Sequence, residues 1–162
     1  MALHRLHNAN WGFDTNCFVC EPSNAAGLRI TFEHDDEADV VRGSFSLDDR
    51  FSGAPSYVHG GLTLAILDEA AAWATIAISE KFAVTAETTT RFLHPVRIGR
   101  DYRVEARVEE ATEERIRVAC RVLDAKDRPC AESTAEMAVL SVAQAVDAIG
   151  TEPTGEDARF LR

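Results

Sequence analysis

A histidine and two glycines open a long stretch without further Gly or Pro, and two acidic residues lie in the middle of it. The stretch is His59–Ile78, HGGLTLAILDEAAAWATIAI. Ala and Leu dominate it, which predicts an α-helix of about 27 Å. Its composition is apolar on every side, which predicts a helix buried all round. Asp68 and Glu69 lie in its middle, and a carboxylate on a buried helix is costly unless it is paired, hydrated or engaged in chemistry. Asp68 is therefore a candidate for chemistry.

The two ends of this motif suit different parts of one reaction. A helix N-terminus offers free N–H groups and a positive dipole end, which can hold a negatively charged oxygen. Gly60 and Gly61 have no side chains, so a substrate carbonyl can approach their amides. Gly61 and Asp68 share a helical face at i, i+7, yet seven residues span about 10.5 Å. Both groups can act on one carbonyl only if they come from two subunits with antiparallel helices.

The composition limits the classes of function. A chain of 162 residues predicts one domain, and its net charge of −10 argues against a nucleic-acid partner or binding to anionic lipid. Asp68 and Glu69 interrupt the most apolar segment, so we expect no membrane span. The N-terminus lacks the apolar core of a signal peptide, and we predict a cytoplasmic protein with reduced cysteines. A single CxxC, Cys17–Cys20, is short of the four ligands of structural zinc sites, so we predict no metal.

Alternation of apolar and polar residues predicts two strands before the helix and four after it. The first two form an antiparallel hairpin, and we expect the sheet of about six antiparallel strands to curve around the one long central helix as an α+β fold. We divide the chain into an N-terminal extension (residues 1–16), one domain (17–142) and a partly disordered tail (143–162) with a short helix over Val146–Ile149. The predicted strands are Leu28–His34, Val40–Leu47, Phe82–Leu93, Tyr102–Glu109, Arg115–Leu123 and Ala131–Val142.

This order of elements resembles the hotdog fold, and three motifs are similar to acyl-CoA thioesterases of the phenylacetic-acid-pathway (PaaI-like) type. HGG is followed after six residues by Asp68, and CFVC…GL at Cys17–Leu28 is similar to the CFxCG…NPxGL leader of relatives. Thr85 stands ten residues before Pro95 in VTxxxTxxFLHPVxxG. The chain departs from the family where Glu21 replaces a glycine, where Ser56 replaces a glycine, and where no amide side chain occurs near residues 52–53.

The resemblance implies an acyl-CoA thioesterase that releases free acid and CoA. Asp68 would be the nucleophile or the general base, and the Gly60/Gly61 helix start of the partner subunit would hold the carbonyl oxygen. Thr85 would position the carboxylate or the water, and His59 would fix the turn. Other hotdog thioesterases use a helix glutamate, so Glu69 is the reserve candidate; it lies about 100° from Asp68, and we expect it to face the sheet or the His59 turn. The resemblance further implies a homodimer, which we expect to form a homotetramer, and no cofactor apart from the CoA of the substrate.

Coenzyme A is strongly anionic, so an acidic chain needs a local basic patch to bind it. Between Thr85 and Arg107 five arginines face three acids, a local charge of +2. The predicted phosphate-binding residues flank one turn, since arginine forks suit phosphate; they are Arg91, Arg97 and Arg100. The predicted acyl-pocket residues are Phe51, Tyr57, Leu64 and Trp73.

Two alternatives stay open at this stage. The chain can be a non-catalytic module that binds acyl-CoA, in which case Asp68 is a paired carboxylate at the dimer seam. It can also be a hotdog hydratase, although those enzymes pair a catalytic histidine with a carboxylate in a motif different from this one.

Overall fold

The protein is one long helix packed against a seven-stranded sheet, followed by a short second helix. The computed structural model describes residues 2–12 and 15–154. The elements are β1 (Leu3–Leu6), β2 (Phe32–Asp35), β3 (Val40–Phe45), α1 (Gly60–Ala77), β4 (Ala83–Phe92), β5 (Tyr102–Ala111), β6 (Arg115–Asp124), β7 (Pro129–Val139) and α2 (Val142–Ile149).

The strand order is β1-β2-β3-β5-β6-β7-β4, and every neighbouring pair is antiparallel. β4 follows α1 directly in the chain, but it joins the sheet at the far side, next to β7. β4 and β1 are therefore the two edge strands. The predicted hotdog architecture, an antiparallel sheet around one central helix, is confirmed.

The extra strand comes from the N-terminal extension, where Leu3–Leu6 pairs with Phe32–Asp35. The sequence did not reveal β1 because its four residues are mostly exposed and show no alternation. The first predicted strand, Leu28–His34, begins only at Phe32. Before that point the amides of Leu28 and Ile30 donate to the carbonyls of Phe18 and Val19 instead of joining the sheet.

The inner face of α1 fills the core, with Ile66, Leu67 and Ala70 at most 1% exposed. Sheet residues such as Phe32, Val104 and Met137 meet this face and are fully buried. The composition of the helix predicted burial on every side, which is wrong for the single chain. A stripe on the opposite face, containing Gly61, Leu64, Ala65, Asp68 and Ala72, is exposed or only partly covered.

The ends of the chain add little to the core. α2 starts at a capping box in which Ser141 and Gln144 exchange hydrogen bonds, so the predicted helix over Val146–Ile149 begins four residues earlier. Residues 155–162 of the predicted tail lie outside the described residues. None of the helices in the described part of the chain has the length and apolarity to span a bilayer.

His59 fixes the start of α1. Its Nδ1 accepts the N–H of Gly61 at 2.9 Å, and its own N–H donates to the carbonyl of Phe51 at 2.9 Å. A Cβ added to Gly53 would lie 3.2 Å from the His59 Cα, so the preceding loop closes tightly around the histidine. The ring therefore acts as an N-cap, satisfying one of the free amides of the first helical turn.

We expect His59→Ala to lower the free energy of unfolding by about 1 kcal/mol, because the variant loses the cap acceptor for Gly61. His59→Asn should recover most of this loss, since asparagine also caps helices through a side-chain oxygen. Urea denaturation followed by circular dichroism measures both. Equal stability of the alanine variant and the wild type would show that the cap contributes nothing.

Candidate active site

Asp68 and Thr85 form the polar centre of the uncovered side of α1. The Thr85 hydroxyl donates to the Asp68 carboxylate, with an Oγ1–Oδ1 distance of 2.5 Å. The sulfur of the buried Met137 lies 3.5 Å from the same hydroxyl and forms an apolar floor. The register of β4 against β7 shifts directly after Thr85, between Thr85 and Glu87. Asp68 itself is exposed, so its second oxygen is available to a ligand or a water molecule.

The helix start forms a second polar position. The Gly61 amide already donates to His59, whereas the Gly60 N–H has no hydrogen-bond partner among the described residues. A Cβ added to Gly60 would meet only Phe92, at 3.9 Å, so the amide is open on one side. Of the two glycines predicted to hold an oxygen, Gly60 has the amide that is free to do so.

A groove of about 300 Å³ begins at this amide. Its walls come from the loop before α1, the first turn of the helix and the turn after β4, which is a largely apolar set with one histidine. The lining residues are Tyr57, Val58, Gly60, Thr63, Phe92, Leu93, His94, Pro95, Val96 and Ala131. Walls of this composition suit a mainly apolar ligand.

The two polar positions of one chain cannot serve one reacting atom. Gly60 and Asp68 are eight residues apart on a straight helix, which corresponds to about 12 Å. Both lie on the uncovered side of α1. Each chain thus presents two separate polar positions on one surface.

β4, which carries Thr85, is an unpaired edge of ten residues. Large apolar side chains are exposed along it and just after it, with Val84 at 44%, Phe92 at 57% and Leu93 at 41%. A long edge with exposed apolar groups is a template for pairing with another strand. The polar positions therefore lie beside a strand edge that exposes apolar side chains.

Glu69 points to the other side of α1, toward the segment before β2. We had expected it to face the sheet or the His59 turn; instead its Oε1 lies 3.2 Å from the Cys17 Sγ. Burial, followed by the nearby Cys17, raises the pKa of the Glu69 carboxyl to about 8. Hydrogen bonding from Cys20 lowers the pKa of the Cys17 thiol to about 5. Glu69 thus has surroundings separate from those of Asp68.

The predicted phosphate-binding arginines do not come together. Arg91 pairs with Glu132 at 3.2 Å, and neighbouring residues of a strand point to opposite faces, so it lies on the face away from Phe92 and the groove. Arg97 stacks on the ring of Tyr57, with its Cζ 5.1 Å from the centroid. Arg100 is exposed in the turn that follows. Of the three arginines, Arg97 contacts a groove residue, Tyr57.

The predicted acyl-pocket residues also divide. Tyr57 lines the groove. Phe51 is half-buried under the guanidinium of Arg50, and Leu64 lies on the uncovered stripe of α1. Trp73 is 3% exposed in the core, where its Nε1 has no hydrogen-bond partner among the described residues. Trp73 is therefore a core residue of the single chain and does not line the groove.

Sequence reasoning missed Phe92, Leu93 and His94 as groove residues. Their strand was predicted, but only the fold shows that its end reaches the start of α1. The FLHP sequence at residues 92–95 was already part of the family motif, but the motif gave these residues no function.

The chain is similar to known proteins in sequence and in structure. The sequence model of the Thioesterase superfamily matches residues 56–131, from the loop before HGG to the first part of β7. No curated protein matches the sequence significantly. A solved thioesterase superfamily protein is 24% identical with a TM-score of 0.68, over 72% of this chain and 57% of that one. This chain thus spans less than two thirds of that protein.

Two further structures share the fold. The PaaI protein of the Escherichia coli phenylacetic acid degradation operon is 16% identical with a TM-score of 0.63, over 70% of this chain and 81% of that one. A Streptococcus mutans protein solved with acetyl-CoA is 19% identical with a TM-score of 0.60, over 63% and 82%. At these identities the structures show the fold alone, and the family model matches less than half of the chain. The chain has the hotdog fold, and its residues 56–131 are similar to the Thioesterase superfamily.

Proposed function

We propose that this protein hydrolyses acyl-CoA thioesters to a free acid and CoA, with each active site shared between two subunits. Asp68 and Thr85 come from one subunit, and the free amide of Gly60 comes from the other. The observation that carries the proposal is the pairing of Asp68 with Thr85 on the uncovered side of α1, beside an unpaired edge strand.

In the arrangement that we propose, two subunits form a twofold dimer. Antiparallel pairing of two β4 edges joins the sheets into one and covers the exposed Val84. The two α1 helices then run antiparallel with their uncovered stripes together, and Ala65 and Ala72 allow close approach. Asp68 of one helix comes opposite the N-terminus of the other, which removes the separation of about 12 Å within one chain.

The chemistry follows from charge development at the thioester. Attack on the carbonyl carbon places negative charge on its oxygen, which the Gly60 N–H and the positive end of the α1 dipole stabilise. If Asp68 attacks the carbon itself, the C–S bond breaks, CoA leaves as the thiolate, and water hydrolyses the resulting mixed anhydride to the free acid. If Asp68 instead removes a proton from the attacking water, the C–S bond breaks in the next step and the CoA thiolate takes that proton. In either case the Thr85 hydroxyl holds the Asp68 carboxylate in place. The His59 cap keeps the first turn of α1 rigid.

Substrate binding divides between the groove and the turn after it. The apolar walls at Phe92, Leu93 and Val96 suit an uncharged chain. Arg97 and Arg100 stand at the far end of the same turn and suit the phosphates of CoA. The Streptococcus mutans neighbour was solved with acetyl-CoA, which agrees with this class of ligand. We leave Arg91 out because Glu132 holds it on the other face.

Asp68→Asn should lower kcat for CoA release by about 10²-fold or more, because the amide neither attacks nor takes a proton. Thr85→Val should lower kcat by about 10-fold through loss of one hydrogen bond to the carboxylate. Thr89→Val is the matched control, since Thr89 lies on the same strand but away from Asp68. Release of CoA from a panel of acyl-CoAs, measured with a thiol reagent, gives the three rates.

Full activity of Asp68→Asn would contradict the role of Asp68. A wild-type protein that binds acyl-CoAs but releases no CoA from any of them would show a binding module. Both outcomes are read against substrate affinity from calorimetry, which Asp68→Asn should leave nearly unchanged.

Mixed dimers test the shared site. Asp68→Asn and Gly60→Leu should each be inactive alone, the second because its side chain fills the groove. When the two are unfolded together and refolded, half of the dimers are mixed, and each contains one site with both native residues. The mixture should therefore regain about a quarter of the wild-type activity per subunit.

No recovery above the sum of the separate variants would place Asp68 and Gly60 of one chain in the same site. Size-exclusion chromatography of the mixture is the control that dimers have formed. Co-purification through two different affinity tags isolates the mixed species for the assay.

A further inference from the structure

We propose that Cys17, Cys20 and Glu69 form a binding site for one zinc ion, which ties the leader (residues 15–31) to the middle of α1. The two sulfurs and a carboxylate oxygen of Glu69 all lie within 4.8 Å of one another. The sequence predicted no metal because a single CxxC supplies only two ligands. The third donor stands 52 residues away and is brought to the thiols by the fold.

The backbone holds the two thiols in position. The Cys20 N–H donates to the Cys17 sulfur at 3.4 Å, a bond that favours the thiolate form, which binds metals. Leu28 N–H and Ile30 N–H donate to the carbonyls of Phe18 and Val19, both at 2.8 Å, and clamp the turn between the cysteines. The turn is thus a fixed part of the fold.

Glu69 gives the second observation. Its Oε1 accepts a hydrogen bond from the Cys17 thiol at 3.2 Å, and no Lys, Arg or His forms an ion pair with it among the described residues. Glu69 is partly buried, and carboxylates withdrawn from water are normally paired with a cation or coordinated to a metal. A divalent ion between the two sulfurs and this carboxylate supplies the missing positive charge.

The donor set selects the ion. Two thiolates and one carboxylate suit Zn²⁺, which binds both kinds of ligand in tetrahedral sites. Cys17 is only partly buried, so the fourth position is open to water. Asn8 Nδ2 lies 3.4 Å from the Cys20 sulfur and provides an outer hydrogen bond to it. Cys120 and Cys130 are also free thiols, but they do not belong to this cluster.

The ion would act on stability, because a link between distant residues removes loop entropy from the unfolded chain. Asp68 is adjacent to Glu69 but points toward β4, about 100° around the helix. The site therefore stands independently of the proposed hydrolysis, and each can fail without the other.

The test is zinc content and affinity in the purified full-length protein. We expect about one zinc ion per chain by mass spectrometry of the metal, and a fall in affinity of more than about 10-fold in Cys17→Ala, Cys20→Ala and Glu69→Gln. Cys120→Ala is the matched control and should bind as the wild type does. Affinity is read by competition with a chromophoric chelator, and circular dichroism confirms that each variant is folded.

Cobalt substitution provides a readout that does not depend on folding stability. Co²⁺ should give a thiolate charge-transfer band that weakens by about half in Cys17→Ala, since one of two sulfurs is lost. Less than a tenth of an equivalent of zinc, unchanged affinity in Glu69→Gln, or a Cys17–Cys20 disulfide in protein purified with a reductant would each overturn the proposal.

Discussion

The structure depends on burying one mostly apolar helix that carries two adjacent carboxyl groups in its middle. The sheet covers the inner face of α1 completely, so neither carboxyl can point there. Adjacent residues of a helix differ by about 100°, and the two side chains leave on opposite sides of the covered face. Asp68 reaches the β4 edge and Glu69 reaches the leader. Each carboxyl group thus lies at one side of the covered face of α1, and a different segment of the chain contacts each of them.

These two locations are the reason that we propose different roles for Asp68 and Glu69. At the β4 edge the partner that we propose is a second subunit, and the Asp68 carboxyl is exposed in the single chain. At the leader the partner belongs to the same chain, and the partly buried Glu69 carboxyl lies beside two thiols. An exposed carboxylate can take part in proton transfer, whereas a partly buried one beside sulfur suits a bound ion. We therefore propose different chemistry for the neighbouring acids Asp68 and Glu69.

Much of the fold was predictable because its signals are local. Helix α1 and the six predicted strands follow from composition and alternation, and the HGG turn gave the helix start at the correct residue. β1 was missed because an exposed four-residue strand has no buried face to produce alternation. The late start of β2 depends on hydrogen bonds between Leu28 and Phe18, which no pattern within one segment encodes.

The candidate site was predictable only in part, because motifs give residue types and not the positions of side chains. Asp68, Thr85 and His59 belong to motifs, and the structure brings Asp68 and Thr85 into contact. The choice of Gly60 over Gly61 as the open amide depends on the orientation of one imidazole ring. Arg91 and Arg97 are separated because Arg91 lies on β4 beside Glu132, whereas Arg97 lies in the turn after β4 and stacks on Tyr57. The positions of individual side chains decide these points, and residue patterns do not give those positions.

The most direct measurement is a crystal structure with a non-hydrolysable acyl-CoA analogue. Our account predicts the Asp68 carboxylate within direct or one-water reach of the carbonyl carbon. The carbonyl oxygen should accept the Gly60 N–H of the other subunit. A ligand held by Gly60 and Asp68 of a single chain, or one bound away from both, would contradict it.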